Sequence, residues 1–186
     1  METHQLDLFA HNIIPKSASR QKSLSMDADA LVQWKARIAA HQQQIKENQP
    51  VQGTLFNVAK AHVDSDKIDP FQLCPYPMSF YRLPTDSLGE TCIYFVIDSA
   101  ASLVLYIGET SKSNKRWKGT HDCKRYLDNY QSLHYQYGLS CAVNIAFWWE
   151  APALARARQQ MELELIERWR SPFNKENWTL WAAPFF

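Results

Sequence analysis

Apolar and polar residues alternate with different periods along the chain, and the periods divide it. Residues 1–25 are polar and aperiodic except for one apolar knot, Leu6–Leu8–Phe9, and read as a disordered tail. From Asp27, a plausible cap, Leu31, Trp34, Ile38 and Ile45 recur at helical spacing, which predicts a helix over 27–47 ended by Pro50. Residues 51–85 carry Pro70, Pro75, Pro77 and Pro84 and read as a loop. Two β-rich runs follow, 92–98 (CIYFVID) and 103–107 (LVLYI), around a turn at 99–102. Residues 113–137 are basic and aromatic, with one or two helices broken near Gly119. A third strand is expected over 141–149, then a helix over 152–170 bearing Leu163, Leu165, Ile166 and Trp169 and stopped by Pro172. The order β-β-α-β-α predicts an α+β fold: a three-stranded antiparallel sheet flanked by helices. The expected division is a tail (1–25), a helix with a Pro-rich tether (26–85) and a compact domain (86–186).

Strand alternation sharpens the hairpin. Ile93, Phe95 and Ile97 share one face of the first run, and Leu103, Leu105 and Ile107 share one face of the second. Placing both sets in the core leaves Tyr94 and Tyr106 on the opposite face. A hairpin centred on Ala100 would pair them directly, just before the chain turns at Gly108.

Of 186 residues 46% are apolar and the net charge is +1, so no global field selects a nucleic acid or a membrane as partner. The charge is nevertheless concentrated. Between 112 and 125, Lys112, Lys115, Arg116, Lys118, Lys124 and Arg125 face one acid, Asp122, with Trp117 and Tyr126 interleaved. That is the composition of a surface that tracks phosphates. Four cysteines without a CxxC pair suggest reduced thiols rather than a disulfide or zinc framework. No apolar run is long enough for a membrane span, and METHQLDLFAHN lacks the pattern of a signal peptide. A cytoplasmic location without membrane contact is the expectation.

The tripeptides CIY (92–94) and YIG (106–108), eleven residues apart, resemble the signature of the GIY-YIG nuclease family, with Cys92 in place of the first glycine. Arg116 stands eight residues past Gly108, and ELELIERWRSPFN supplies Glu162, the pair Leu165–Ile166, Pro172 and Asn174 in the family's order. The resemblance covers about residues 90–178. It implies hydrolysis of phosphodiester bonds, usually in DNA, with one divalent metal. Glu162 would be the metal ligand, suited as a carboxylate to hard Mg²⁺ (or Mn²⁺). Arg116 would fork onto a phosphate oxygen and stabilise transition-state charge. Tyr94 would activate the attacking water, given cations near enough to lower its pKa. Tyr106 would position water or phosphate, and Asn174 would hold the chain after the helix. Relatives often place a second polar or basic group four positions after the arginine; here that is Thr120, with His121 one further on. Lys112, Lys115, Lys118, Lys124 and Arg125 would contact DNA. Glu164 and Glu167 read as solvated, and the C-terminal NWTLWAAPFF as packing.

Gln5-Leu6-Asp7-Leu8-Phe9 resembles the peptide by which bacterial repair and replication proteins dock on the sliding clamp. Leu and Phe would anchor in an apolar pocket, Gln would make polar contacts and the tail would supply reach. Gln52–Phe56 (QGTLF) is a weaker copy that reads better as a tether packing on the domain. The combined expectation is a clamp-tethered, metal-dependent DNA endonuclease of repair or replication-linked processing. The alternatives are a restriction-type endonuclease of the same fold and a non-catalytic DNA-binding module.

Overall fold

The computed structural model describes residues 26–48, 65–79, 89–116 and 122–182. Among them, helix α1 is Ala28–Glu47, α2 Ser113–Arg116, α3 Asp122–Gln136, α4 Ala155–Trp169 and α5 Trp178–Trp181. The strands are β1 Pro75–Pro77, β2 Cys92–Asp98, β3 Leu103–Thr110 and β4 Val143–Trp148. They form one antiparallel sheet in the order β1-β4-β2-β3. The sheet therefore has four strands and not three. The addition is Pro75-Tyr76-Pro77, paired with β4 from within the segment expected to be loop. Proline cannot donate to a ladder, but an edge strand tolerates that.

The central β2 is buried along its whole length because both sheet faces are covered. On one face Tyr94, Val96, Leu103, Leu105, Ile145 and Phe147 meet α1 and α3. On the other, Ile93, Phe95, Ile97, Val104 and Ile107 meet α4 through Met161, Leu165, Ile166 and Trp169. This corrects the expected grouping, which put Leu103 and Leu105 with Ile107. The register explains it: Val96 pairs with Tyr106 but Ile97 pairs with Val104, so Leu105 is an extra residue in β3, a β-bulge. Past the bulge the parity of β3 flips.

The same bulge overturns the direct pairing of Tyr94 with Tyr106. Tyr94 lies opposite Gly108, and the two tyrosines are diagonal neighbours, stacked with ring centroids 6.1 Å apart. Gly108 is not a turn either, since β3 runs on to Thr110. A Cβ on Gly108 would come within 2.3 Å of the Tyr94 ring, so the missing side chain is the space in which that ring lies.

Helix α1 starts as the sequence implies, with the Asp27 carboxylate accepting from the Ala30 N–H at 2.8 Å. It buries Leu31, Trp34 and Ile38 in the face shared with α3. Its fourth buried position is polar, Gln42, and Ile45 is only partly buried. At the C-terminus Trp181 is buried, and its indole donates to the Arg170 carbonyl. Arg170, in the left-handed region at φ 47°, ends α4 before Pro172 is reached.

Candidate active site

A cleft of about 520 Å³ opens between β3, α2, α3 and the end of α4. Tyr106, Arg116, Glu162 and Asn174, all singled out from the sequence, line it, together with Lys175 and Glu176. Tyr94 is fully buried just behind, where the Arg116 Nε–H approaches its hydroxyl at 3.4 Å. His121 and Lys118 fall outside the described residues, as do Gln5, Leu6, Asp7, Leu8 and Phe9 and the weaker copy Gln52–Phe56.

Arg116 reaches this place because its short helix is tied down. The Ser113 N–H donates to the Glu90 carbonyl, and the Glu90 N–H donates to the Ser113 hydroxyl, each at 3.2 Å. The Thr110 hydroxyl accepts from the Lys112 N–H at 3.0 Å, turning the chain off β3. Asn174 reaches from the loop after α4 to β3. Its side chain accepts from the Ile107 N–H and donates to the Ile107 carbonyl, both at 2.9 Å, in imitation of a neighbouring strand.

Glu162 is half-buried on α4, and its Oε1 accepts from the backbone N–H of Glu109 at 3.1 Å. One turn earlier on α4, the nearly buried Arg158 pairs with the Glu109 carboxylate and donates to the carbonyls of Pro152 and Ala153. Burial pushes the Glu162 carboxyl up to about 7, and the charges of Glu109 and Glu176 push the same way. An acid driven toward its neutral form in an open cleft is a single oxygen donor that a hard divalent cation would suit, the Glu109 carboxylate being already paired with Arg158.

The phenols behave differently from the sequence expectation. Burial drives the Tyr94 hydroxyl well above its ordinary value, Tyr106 adds to the shift, and Arg116 opposes it without winning. Tyr106 is raised as well, again chiefly by burial. Arg116 alone therefore does not make a phenolate, and at neutral pH both rings are hydrogen-bonding hydroxyls. Cys92, standing where the family's glycine would, is wholly buried, and burial lifts its thiol to about 12. It acts as a small core residue.

The other basic residues lie beside Arg116 and Cys123 in sequence, on or next to the elements that form the cleft. Lys112 and Lys115 are exposed beside α2; Arg125 is exposed and Lys124 half-exposed on the first turn of α3. Tyr126, read as part of that surface, is instead core, 2% exposed and edge-on to Trp178. Lys175 was not anticipated. It follows Asn174 directly and pairs with Asp122 at 3.6 Å, both side chains being well exposed. Its only signal in the sequence was a basic residue next to a motif position.

Among the described residues one group of three metal-type donors, Asp98, His134 and Cys141, lies within 4.8 Å of one another at the far end of β2. A cation of the chain already occupies it. The Lys35 ammonium is 3.1 Å from Asp98 Oδ2 and 2.8 Å from His134 Nε2. Glu164 and Glu167 are exposed.

Residues 90–177 match the family model described as the GIY-YIG catalytic domain. The match begins just before β2 and ends after Asn174, so it encloses every described member of the cleft. No curated protein and no solved structure matches the chain. Among the described residues, no helix is long and apolar enough to cross a membrane.

Proposed function

We propose that this protein is a metal-dependent DNA endonuclease that hydrolyses phosphodiester bonds and is carried to its substrate by the bacterial sliding clamp, in DNA repair or replication-linked processing. The observation that carries the reading is convergence. Two strands, a short helix and a long helix bring Tyr94, Tyr106, Arg116 and Glu162 around one cleft flanked by lysine and arginine.

Arg116 is the electrophilic group. Its guanidinium sits at the cleft wall, and a phosphate there would receive donors aimed at charge that grows in the transition state. Tyr106 and Tyr94 would orient a water or a phosphate oxygen through their hydroxyls. Glu162 would hold Mg²⁺ (or Mn²⁺), its carboxylate kept in place by the Glu109 N–H. An ion held there would supply positive charge to phosphate oxygens and Lewis acidity toward the attacking water. Lys112, Lys115, Lys124 and Arg125, with Lys118 from the same stretch of sequence, would carry the flanking duplex, and His121 would be the second polar catalytic group that follows Arg116.

Recruitment rests on Gln5–Phe9, a clamp-type peptide in a polar tail far in sequence from the cleft. Such a tether raises local enzyme concentration without touching the chemistry. The test is a Mg²⁺-dependent cleavage panel over mismatched, branched, nicked and damaged DNAs, with and without loaded clamp, beside direct binding of a peptide spanning residues 1–12 to purified clamp. Cleavage stimulated by clamp, and lost on changing Leu8 and Phe9 to Ala, supports the whole reading. If this peptide and Gln52–Phe56 both fail to bind while free DNA is cut, the clamp leaves the account and a restriction-type endonuclease takes its place.

A further inference from the structure

Among the described residues β3 lies at the edge of the sheet, so half of its backbone groups have no strand there to pair with. Several of them are nevertheless engaged. The side-chain amide of Gln42, 1% exposed, accepts from the Val104 N–H at 2.8 Å and donates to the Val104 carbonyl at 3.0 Å. The same nitrogen donates to the Trp169 carbonyl at 2.9 Å. The Phe173 N–H donates to the Leu105 carbonyl at 2.9 Å, and Asn174 holds Ile107 on both sides. Three grips thus bracket the bulge at Leu105, one residue before Tyr106.

Two of these grips come from the loop after α4, within the stretch that matches the nuclease domain. The third comes from α1, which lies outside it. Gln42 fits its place closely, since a side-chain amide carries the same C=O acceptor and N–H donor as a strand's peptide group. An apolar residue of similar size would fill the same space but leave two backbone groups of Val104 buried and unpaired.

The position of the bulge decides what faces the cleft. Val104 lies on the α4 side of the sheet, and beyond the extra residue Tyr106 lies on the cleft side next to Tyr94. Moving the irregularity past Tyr106 would turn the ring toward the opposite face, because side chains alternate with period two. We infer that Gln42 is a positioning residue for the cleft: by clamping Val104 it fixes the bulge at Leu105, and so holds Tyr106 beside Tyr94 and Arg116. The inference rests on the nuclease reading for its catalytic consequence but not for its structural one. It makes α1 a working part of the site and not only a link to the tail.

The experiment uses the full chain with Gln42→Leu, which removes all three hydrogen bonds at similar volume, and Gln42→Glu, which keeps an oxygen for the Val104 N–H. Amide hydrogen exchange is followed at Val104 and Ile107, the Tyr106 ring is followed by NMR, and kcat and KM are measured on a cleaved DNA at a temperature where circular dichroism shows each variant folded. For Gln42→Leu the expectation is faster exchange centred on residues 104–107, a shifted Tyr106 ring signal, and a kcat lowered roughly ten- to a hundredfold. KM should stay within about twofold, because the lysines and arginines proposed to hold the flanking DNA are untouched. Gln42→Glu should fall between wild type and Gln42→Leu, and it carries the same readings where Gln42→Leu fails to fold.

An unchanged kcat with an unmoved Tyr106 signal overturns the inference. So does exchange that rises equally across every core amide, since Gln42 would then be only an edge cover. A wild-type chain that cuts no DNA removes the nuclease reading, while the exchange and ring signals still decide whether Gln42 holds the bulge.

Discussion

Asp98 and Glu162 are both carboxylates set against the same hairpin, and they are opposites. Asp98, at the end of β2, has no exposed surface, yet its carboxyl is held below the usual range. Burial works against its charge, but donors outweigh burial: the N–H groups of Ala100 and Ala142, the Tyr130 hydroxyl at 2.7 Å and the Lys35 ammonium. Glu162 opens onto a cleft, receives one backbone N–H and has acidic neighbours. Its charge is left partly unsatisfied. A buried charge with all its partners is a fastening, here of α1 and α3 to the hairpin turn; a charge short of partners beside a cavity is where a ligand can supply what is missing.

Substitutions should break this contrast in a defined order. Glu162→Gln keeps shape and removes charge, so cleavage in Mg²⁺ should drop below about one thousandth of wild type while DNA binding stays near normal and the thermal midpoint is not lowered. Wild-type cutting by this variant would remove Glu162 from the site. Arg116→Ala should slow cleavage by about two orders of magnitude or more at saturating DNA, the loss expected of a transition-state donor. Asp98→Asn should do the reverse of both. It strands Lys35 in a buried network and should reduce unfolding free energy by about 3 kcal/mol, with cleavage per folded molecule unchanged. Denaturant titration beside single-turnover kinetics separates the two outcomes.

The pH dependence sharpens the comparison, because the two acids have opposite signs. Glu162 holds its proton more tightly folded, at about 7, than unfolded, where 4.5 is usual. Its contribution to stability is complete below the unfolded value and fades as pH rises through 7, by of the order of 2 kcal/mol after screening on its open side. Asp98, lowered on folding, contributes above its unfolded value and loses that contribution as pH falls through its folded one. Thermal midpoints of wild type, Glu162→Gln and Asp98→Asn from pH 4 to 9 should separate the two limbs. The smallest effect is expected at the rim of the cleft. Lys124→Ala should weaken DNA binding a few-fold and reduce the salt slope by about one ion. An effect equal to that of Arg116→Ala would make Arg116 an ordinary phosphate contact.

Much of this was legible in the sequence. The run CIYFVID coincides with β2 as observed, because a continuous β-branched and aromatic run leaves few alternatives. Helices α1, α3 and α4 were placed to within a few residues by caps and period, while the short α5 was not expected. Tyr106, Arg116, Glu162 and Asn174 do share one cleft, with Tyr94 behind it. What could not be read was whatever depends on distant partners. The bulge at Leu105 has no local signature, since no glycine or unusual residue marks it; Gln42, Phe173 and Asn174 hold it from 62 or more residues away. β1 was hidden by its prolines. Gln42 was passed over because a helical pattern is sought in apolar residues, and an amide at a core position is the exception that pairs with backbone.

Those prolines have a consequence at the scale of many molecules. An uncovered strand edge invites the same edge on another copy, which is how sheet proteins come to associate in disordered or fibrous ways. Pro75 and Pro77 leave β1 with Tyr76 as its one backbone donor. The opposite border, β3, is covered by side-chain amides and by the loop after α4. Among the described residues neither border is a full row of free donors and acceptors, which lowers the tendency of many copies held close together to zip into one another.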